Sequence, residues 1–290
     1  MIHKIEPHIY YPEFRCQEPK AEDFLLIFDE NQIYLPKDQD GRLFLPTFQK
    51  ARQLLKLKYP LERLMLDAEY LFSIDSTAFY RLNAAEGSLY LPLEGQLYPP
   101  SIFRTFQPEY LAFAGITACQ INRFRLDRKF CGRCSAPTVP SATERACICP
   151  QCGMIEYPKI SPAVITAVIH QDKLLLTKYA GGSYQNWALV AGFVEVGETF
   201  KGAVRREVRE ETGLLVGEIV YYKSQPWSFS DSAMIGFFSK LEGPDTITLQ
   251  KSELSEARWF SREEIPEFPS SLSIAQEMIK YFKDGGNPFS

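Results

Sequence analysis

The stretch "GFVEVGETFKGAVRREVREETGLL", residues 192–215, decides what the C-terminal half of this chain must be. Phe200, Val204 and Val208 recur at i, i+4 and i+8, which predicts a helix from Thr199 to Thr212 with these three as its core stripe. Thr199 is of the type that caps a helix N-terminus, and Gly213 stops the helix at its other end. Inside it, "RREVREETG" (205–213) sets Glu207, Glu210 and Glu211 on one face. Like charges three or four residues apart cost roughly 0.2–0.5 kcal/mol per pair on an exposed helix. Three carboxylates kept together in this way demand a cation.

The same stretch narrowly misses a phosphate-binding loop. Gly192 and Gly197 have about the right separation and are followed by Glu198 and Thr199, but the lysine such a loop needs is the glutamate. Negative charge there repels phosphate, so direct loop binding is excluded. A cradle of carboxylates suits Mg²⁺ or Mn²⁺, which take oxygen ligands and keep several waters, and such a metal in turn suits a pyrophosphate. Glu207 and Glu211, one turn apart, can grip an ion together, with Glu210 on the flank. The chemistry then needs no histidine. That fits a chain with three of them, His3, His8 and His170, which read as surface or turn residues.

A second cluster lies upstream. Cys131-x-x-Cys134 and Cys149-x-x-Cys152 are two CxxC knuckles fourteen residues apart, a spacing that brings four thiolates to one tetrahedral zinc. Four protein ligands leave no open position, so this Zn²⁺ is expected to be structural. Cys147 competes with Cys149 as a ligand but does not complete a CxxC, and is taken as a bystander.

The chain has 290 residues, 45% hydrophobic, with a formal net charge of −4, enough for two or three small domains and short of the basic excess expected of a general nucleic-acid binder. It holds no apolar run long enough for a membrane span. The N-terminal "MIHKIEPHIYYPEF" is polar and proline-broken, without an export signal's apolar core, so a soluble, cytoplasmic protein is expected. Seven cysteines, five of them between Cys131 and Cys152, favour thiols or metal ligands over disulfides in that compartment.

Residues 1–105 read as short strands and turns, "DFLLIFDENQIYLP" (23–36), "RLFLPTF" (42–48) and "SLYLPLEG" (88–95), with a helix expected around "FYRLNAAEG" (79–87). "PEYLAFAGITACQINRFRLD" (108–127) has helical spacing. Beyond it, "PAVITAVIH" and "KLLLTKY" predict a hairpin, "NWALVAGFV", "AMIGFFSKL" and "ARWF" predict strands, and "LSIAQEMIKYF" a last helix. Without regular βα alternation, the class is α+β. The expected domains are 1–125, a zinc ribbon at 126–160, and a catalytic domain at 161–290.

The pattern G-x5-E-x7-R-E-V-x-E-E-x-G-L, carried by Gly192, Glu198, Arg206, Glu207, Val208, Glu210, Glu211, Gly213 and Leu214, resembles the Nudix hydrolase family at every defining position. The resemblance implies an α/β/α sandwich for 161–290, with Arg206 neutralising and orienting carboxylates, Glu198 first among them. Downstream, "SQPWSFSDS" (224–232) is similar to the S-Q-P-W-P-F-P-x-S signature of the NADH pyrophosphatases, the NudC-type Nudix enzymes. Ser224, Gln225, Pro226, Trp227, Phe229 and Ser232 match it, while Ser228 and Ser230 replace two prolines. "FCGRC", "CPQCG" and "YPKISPAVI" extend the likeness over roughly residues 108–280.

From this resemblance come further expectations. Tyr157 and Phe193 match aromatics that hold the nicotinamide end, with core packing as the alternative for each. Trp227 matches a residue that reaches the ligand across a homodimer interface, again with core packing as the alternative, and Gln225 and Ser232 belong to the same substrate-recognition loop. Ala275 lies where the family makes a backbone contact to substrate. Glu253 aligns with a further metal-binding glutamate, with Glu256 as its rival. The expected activity is hydrolysis of the pyrophosphate bond of NADH or NAD⁺ to NMN(H) and AMP by metal-activated water. An NAD cap on RNA presents the same bond. The alternatives are a broader hydrolase of ADP-ribose or dinucleoside polyphosphates, and a non-catalytic ligand sensor with a nucleic-acid-binding ribbon.

Overall fold

The structure, a computed structural model, describes residues 1–54, 61–84, 95–181, 186–268 and 272–289. The chain divides into two compact units, Ile2–Lys159 and Ile160–Ser290, the latter joined by Met1.

The first unit opens with β1 (Tyr10–Tyr11), β2 (Phe24–Asp29) and β3 (Gln32–Pro36), followed by α1 (Phe48–Leu54) and α2 (Leu61–Asp67). Then come β4 (Glu69–Ile74), β5 (Thr77–Asn83) and β6 (Gly95–Tyr98). These six strands form one mixed sheet in the order β1-β4-β5-β2-β3-β6. The helix expected around "FYRLNAAEG" is not formed: residues up to Asn83 are β5, and the rest lie largely outside the described residues. Central position explains it. β5 pairs parallel with β2 and antiparallel with β4, and Ala78 to Asn83 are buried, so an apolar run compatible with either element is claimed by the sheet. "RLFLPTF" contributes isolated bridges at Leu43 and Thr47 in place of a strand, and "SLYLPLEG" lies outside the described residues except Gly95. A 3₁₀ turn (Pro100–Arg104) leads into α3 (Glu109–Asp127), as the helical spacing predicts. Twelve of its nineteen residues are buried, so it is a core helix. The unit ends in the three-stranded β7 (Val139–Pro140), β8 (Cys147–Ile148) and β9 (Ile155–Glu156).

The second unit is an α/β/α sandwich. Its strands are β10 (Ser161–His170), β11 (Lys173–Tyr179), β12 (Val190–Phe193), β13 (Leu215–Trp227), β14 (Ser232–Glu242) and β15 (Leu254–Ser261). Its helices are α4 (Phe200–Thr212) and α5 (Ile274–Lys283). The sheet runs β13-β14-β10-β11-β15, with β12 also on β10. Alternation along β10 builds the two layers, because successive side chains of a strand face opposite ways. Val164 and Val168 pack with Ala203, Val204 and Val208 of α4, whereas Ile165, Ala167 and Ile169 pack with Ile274, Met278 and Phe282 of α5. The expected hairpin is present, closed through Gln171 at φ 53°.

Candidate active site and metal centre

Helix α4 has the boundaries its sequence dictates. Thr199 Oγ1 accepts from Gly202 N at 3.1 Å, and Gly213 adopts φ 72° as the left-handed stop. At Gly213 a side chain would also lie 3.0 Å from Thr248. The stripe differs at one point: Val204 and Val208 are fully buried, but Phe200 is 45% exposed. It is the first helical residue, off the end of the packed stretch, and its place in the core layer is taken by Ala203.

Arg206 organises the carboxylates. Its guanidinium holds Glu198 bidentately, Nε to Oε1 and Nη2 to Oε2, both at 2.9 Å. Nη1 donates to Glu207 at 2.7 Å and Glu210 at 3.1 Å, and Nη2 also reaches the Phe193 carbonyl at 2.9 Å. The hydrogen bond to Arg206 holds the Glu198 carboxyl below its ordinary range, and Glu198 in return raises Arg206 further. The family resemblance put Glu198 first among its partners; the structure adds Glu207 and Glu210 to the same fork.

Gly192 makes room for the site. A side chain there would stand 2.0 Å from Glu207 Oε1 and 2.1 Å from its Cδ. The glycine is where the Glu207 carboxylate lies against β12. Glu207 is pushed up by burial, with Glu210 and Glu253 adding to the rise and Arg206 opposing it.

Glu211 is the outlier. It is 3% exposed, and its Oε2 has no hydrogen-bond partner among the described residues. Burial, then the charges of Glu207, Glu253 and Glu210, push its carboxyl up to about 8. A buried carboxylate without a partner is among the costliest arrangements in a protein interior. An orphaned oxygen surrounded by like charge is what a divalent cation would satisfy, so the residues fit such an ion.

Glu253 enters through backbone pairing across α4. Thr248 N and Gln250 N donate to the carbonyls of Thr212 and Glu211, and Ala180 N donates to the Glu253 carbonyl at 2.7 Å. Its charge is felt by both Glu207 and Glu211. Glu256 instead pairs with Lys178 at 3.1 Å, its register partner across β11 and β15.

The four cysteines converge. All four Sγ atoms lie within 4.8 Å of one another, with Cys131–Cys152 at 3.6 Å and Cys134–Cys149 at 3.4 Å. Those separations are far too long for a disulfide and close to the edge of about 3.8 Å expected for a tetrahedron of zinc–sulfur bonds. The two knuckles repeat one backbone pattern: Ser135 N bonds the Cys131 carbonyl, Gly153 N bonds the Cys149 carbonyl, and Ser135 and Gly153 both have positive φ, 60° and 71°. Backbone N–H groups of Cys152 and Gln151 help hold the Cys149 thiol down to about 6. The set fits a structural zinc. Cys147 stands outside it, its Sγ accepting from Arg125 Nη1 at 3.1 Å, and Arg125 is in turn bound to Glu69.

The remaining expected residues are dispersed over several elements. Tyr157, 57% exposed, belongs to the first unit and donates to Glu144 at 3.1 Å. Phe193, 54% exposed, ends β12. "SQPWSFSDS" forms the end of β13 and the turn into β14, closed by Ser230 N donating to the Trp227 carbonyl at 3.2 Å, a bond a proline at 230 would forgo. Trp227 and Phe229 lie with ring centroids 4.9 Å apart. Ser232 is buried, its hydroxyl 3.0 Å from that of Ser230. Gln225 is buried as well, and its amide is spent on the backbone leading into α5. Ala275 is the second residue of that helix.

Residues 160–282 match the family model of the NUDIX domain, and residues 128–157 that of the NADH pyrophosphatase zinc ribbon domain. The chain is similar to the NAD-capped RNA hydrolase NudC of Haemophilus influenzae, 43% identical over 167 residues, 55% of this chain and 62% of that protein. It is also similar to the NAD-capped RNA hydrolase NudC of Mannheimia succiniciproducens, 39% identical over 202 residues, 66% of this chain and 71% of that protein. Among solved structures, a NUDIX hydrolase from Nitrosomonas europaea is 28% identical, with 56% of this chain and 96% of that one covered and a TM-score of 0.47. The match thus spans less than two thirds of the Haemophilus relative's length.

Proposed function

The chain belongs to the Nudix hydrolase family, in its NudC-type branch, and from that premise we propose that it is a metal-dependent NAD(H) diphosphatase. Water attacks phosphorus in the pyrophosphate link of NADH or NAD⁺. A new P–O bond forms, the bridging P–O bond breaks, and NMN(H) and AMP leave. The observation that carries the reading is Glu211 on the Nudix helix, a buried carboxylate whose Oε2 has no partner among the described residues and which feels the charges of Glu207, Glu253 and Glu210.

Glu207, Glu210, Glu211 and Glu253 would hold Mg²⁺ or Mn²⁺. When bound, the divalent ion neutralises phosphate oxygens and makes water a competent nucleophile near neutral pH. The chain's own residues do the rest. Arg206 fixes the rotamers of Glu198, Glu207 and Glu210 before substrate arrives, so orientation is set in advance. One carboxylate of the set takes the proton that water loses. Tyr157 and Phe193, both exposed, are the aromatics that the family resemblance assigns to the nicotinamide. Trp227, Ser232 and Ala275 complete substrate recognition, with Gln225 in the same loop.

In this reading the protein is a cytoplasmic homodimer of chains divided at 1–125, 126–160 and 161–290, with Zn²⁺ holding the middle segment. Among the described residues no helix is long and apolar enough to cross a membrane. The names of the relatives extend the proposed substrates to NAD-capped RNA. Serines at 228 and 230, where the signature has prolines, favour a second reading, a broader hydrolase acting also on ADP-ribose or dinucleoside polyphosphates. Incubation of the purified protein with NADH and Mg²⁺ or Mn²⁺ tests the proposal. AMP release that Glu207→Gln abolishes is expected; no AMP from the parent would leave a ligand-binding sensor as the better account.

A further inference from the structure

Gln225 is 1% exposed near the end of β13, and both ends of its carboxamide are engaged by backbone. Its carboxamide clamps the entry to α5 from both sides. Oε1 accepts from Ile274 N at 2.7 Å, and Nε2 donates to the Leu272 carbonyl at 2.8 Å. Between these two residues sits Ser273, the N-cap, whose side chain and backbone close a capping box with Gln276.

The first N–H groups of a helix have no intrahelical acceptor, and here they can be accounted for one by one. Ser273 N goes to Gln276 Oε1, Ile274 N to Gln225, Gln276 N to Ser273 Oγ, and Glu277 N to the Ser273 carbonyl. Among the described residues, Ala275 N is the donor that none of these bonds uses. A side chain at Gly236 would stand 2.7 Å from Ile274 Cδ1 and 3.0 Å from Met278 Sδ, so α5 is seated directly on β14. Lower down, Tyr222 and Lys223 of β13 both donate to Glu277.

We propose that Gln225 is a positioning residue: by clamping the backbone on either side of Ser273 it fixes the direction of the Ala275 N–H, the backbone donor through which α5 holds the substrate. This rests on the reading of the protein as an NAD(H) diphosphatase with a substrate contact at Ala275. It assigns the glutamine of the "SQPW" stretch to the support of the contact and not to the contact itself.

A double-mutant cycle tests it. Gln225→Met keeps the length of the side chain and removes both hydrogen bonds. Ala275→Pro removes the N–H within the first turn, where proline is tolerated. Read-outs are KM and kcat for NADH with Mg²⁺, and the Kd for NADH from its fluorescence without divalent metal. Gln225→Met is expected to raise KM and Kd about tenfold, the scale of one lost hydrogen bond, with kcat within about twofold of the parent. The double variant should bind no worse than Ala275→Pro alone, because both changes remove the same contact. Gln225→Glu keeps the acceptor for Ile274 N, and the same cycle is read with it if Gln225→Met does not fold.

Parental KM and Kd in the Gln225 variant, with the parent hydrolysing NADH, would overturn the inference and leave the activity standing. So would effects of the two substitutions that multiply, since Gln225 would then act independently of Ala275. A parent that neither binds nor hydrolyses NADH would remove the functional reading and this inference with it.

Discussion

The thiolate cluster and the carboxylate cluster each gather four acidic side chains, and the chain arranges them in opposite ways. The cysteines are brought to tetrahedral distances by two copies of one backbone turn, with their sulfurs pointing at each other. The glutamates come from one helix and the turn preceding β15, and two of the four, Glu207 and Glu210, point at Arg206. One set is saturated by its own geometry, which suits an ion that only holds structure. The other is left short of positive charge, with an orphaned oxygen on Glu211, which suits an ion that keeps room for water and substrate. In the proposed reading, tightness serves stability in the first cluster and incompleteness serves chemistry in the second.

The sharpest way to break this comparison is to exchange charge for shape. Glu207→Gln keeps the volume and removes the charge, and kcat for NADH should fall roughly 10²–10⁴-fold while one zinc per chain and the melting temperature are retained. Gly192→Ala should reproduce much of that loss without changing any charge, because its methyl group would occupy the place of the Glu207 carboxylate. Steady-state rates and metal analysis on both variants check this; a fully active Gly192→Ala would show that Glu207 need not lie against β12.

Next in size is the reverse experiment. Cys149→Ser should lose the zinc and roughly several kcal/mol of local stability, since metal and fold are linked in such sites. Elemental analysis and proteolysis between 126 and 160 read it out, and retention of stoichiometric zinc would remove Cys149 from the ligand set.

The smallest effect is a slope. Burial and the neighbouring carboxylates push Glu211 in the folded, metal-free protein up to about 8 from an ordinary value of 4.5. Between those values the folded state keeps a proton that the unfolded state has released, so unfolding becomes easier as pH rises through this window. The metal-free melting temperature should therefore fall by a few degrees from pH 5 to pH 8. Glu211→Gln should flatten the slope, and Mg²⁺ or Mn²⁺ should raise the parent's melting temperature more than the variant's. A parent slope identical to that of Glu211→Gln would contradict the assignment.

How much of this was legible in the sequence follows from how local each signal is. The limits of α4, its Thr199 cap and Gly213 stop, and the two CxxC knuckles are encoded within a few residues, and the structure bears them out. Phe200 and "FYRLNAAEG" misled for a different reason. Periodicity describes an element but not where its core partner ends, nor whether a sheet will claim an apolar run. The residue that fills the space at Gly192, the three-carboxylate grip of Arg206 and the clamp made by Gln225 all join positions that are contiguous only after folding. A pattern of spacings marks such residues as present without saying what they touch.

The most direct test is a comparison of kcat/KM for NADH, NAD⁺, NAD-capped RNA and ADP-ribose, with Mg²⁺ or Mn²⁺ and with chelator. The account predicts metal-dependent release of AMP from NADH or NAD⁺, or of the decapped 5′ end from RNA, with a higher kcat/KM than for ADP-ribose. A preference for ADP-ribose, or hydrolysis that survives chelation of the divalent metal, would contradict it.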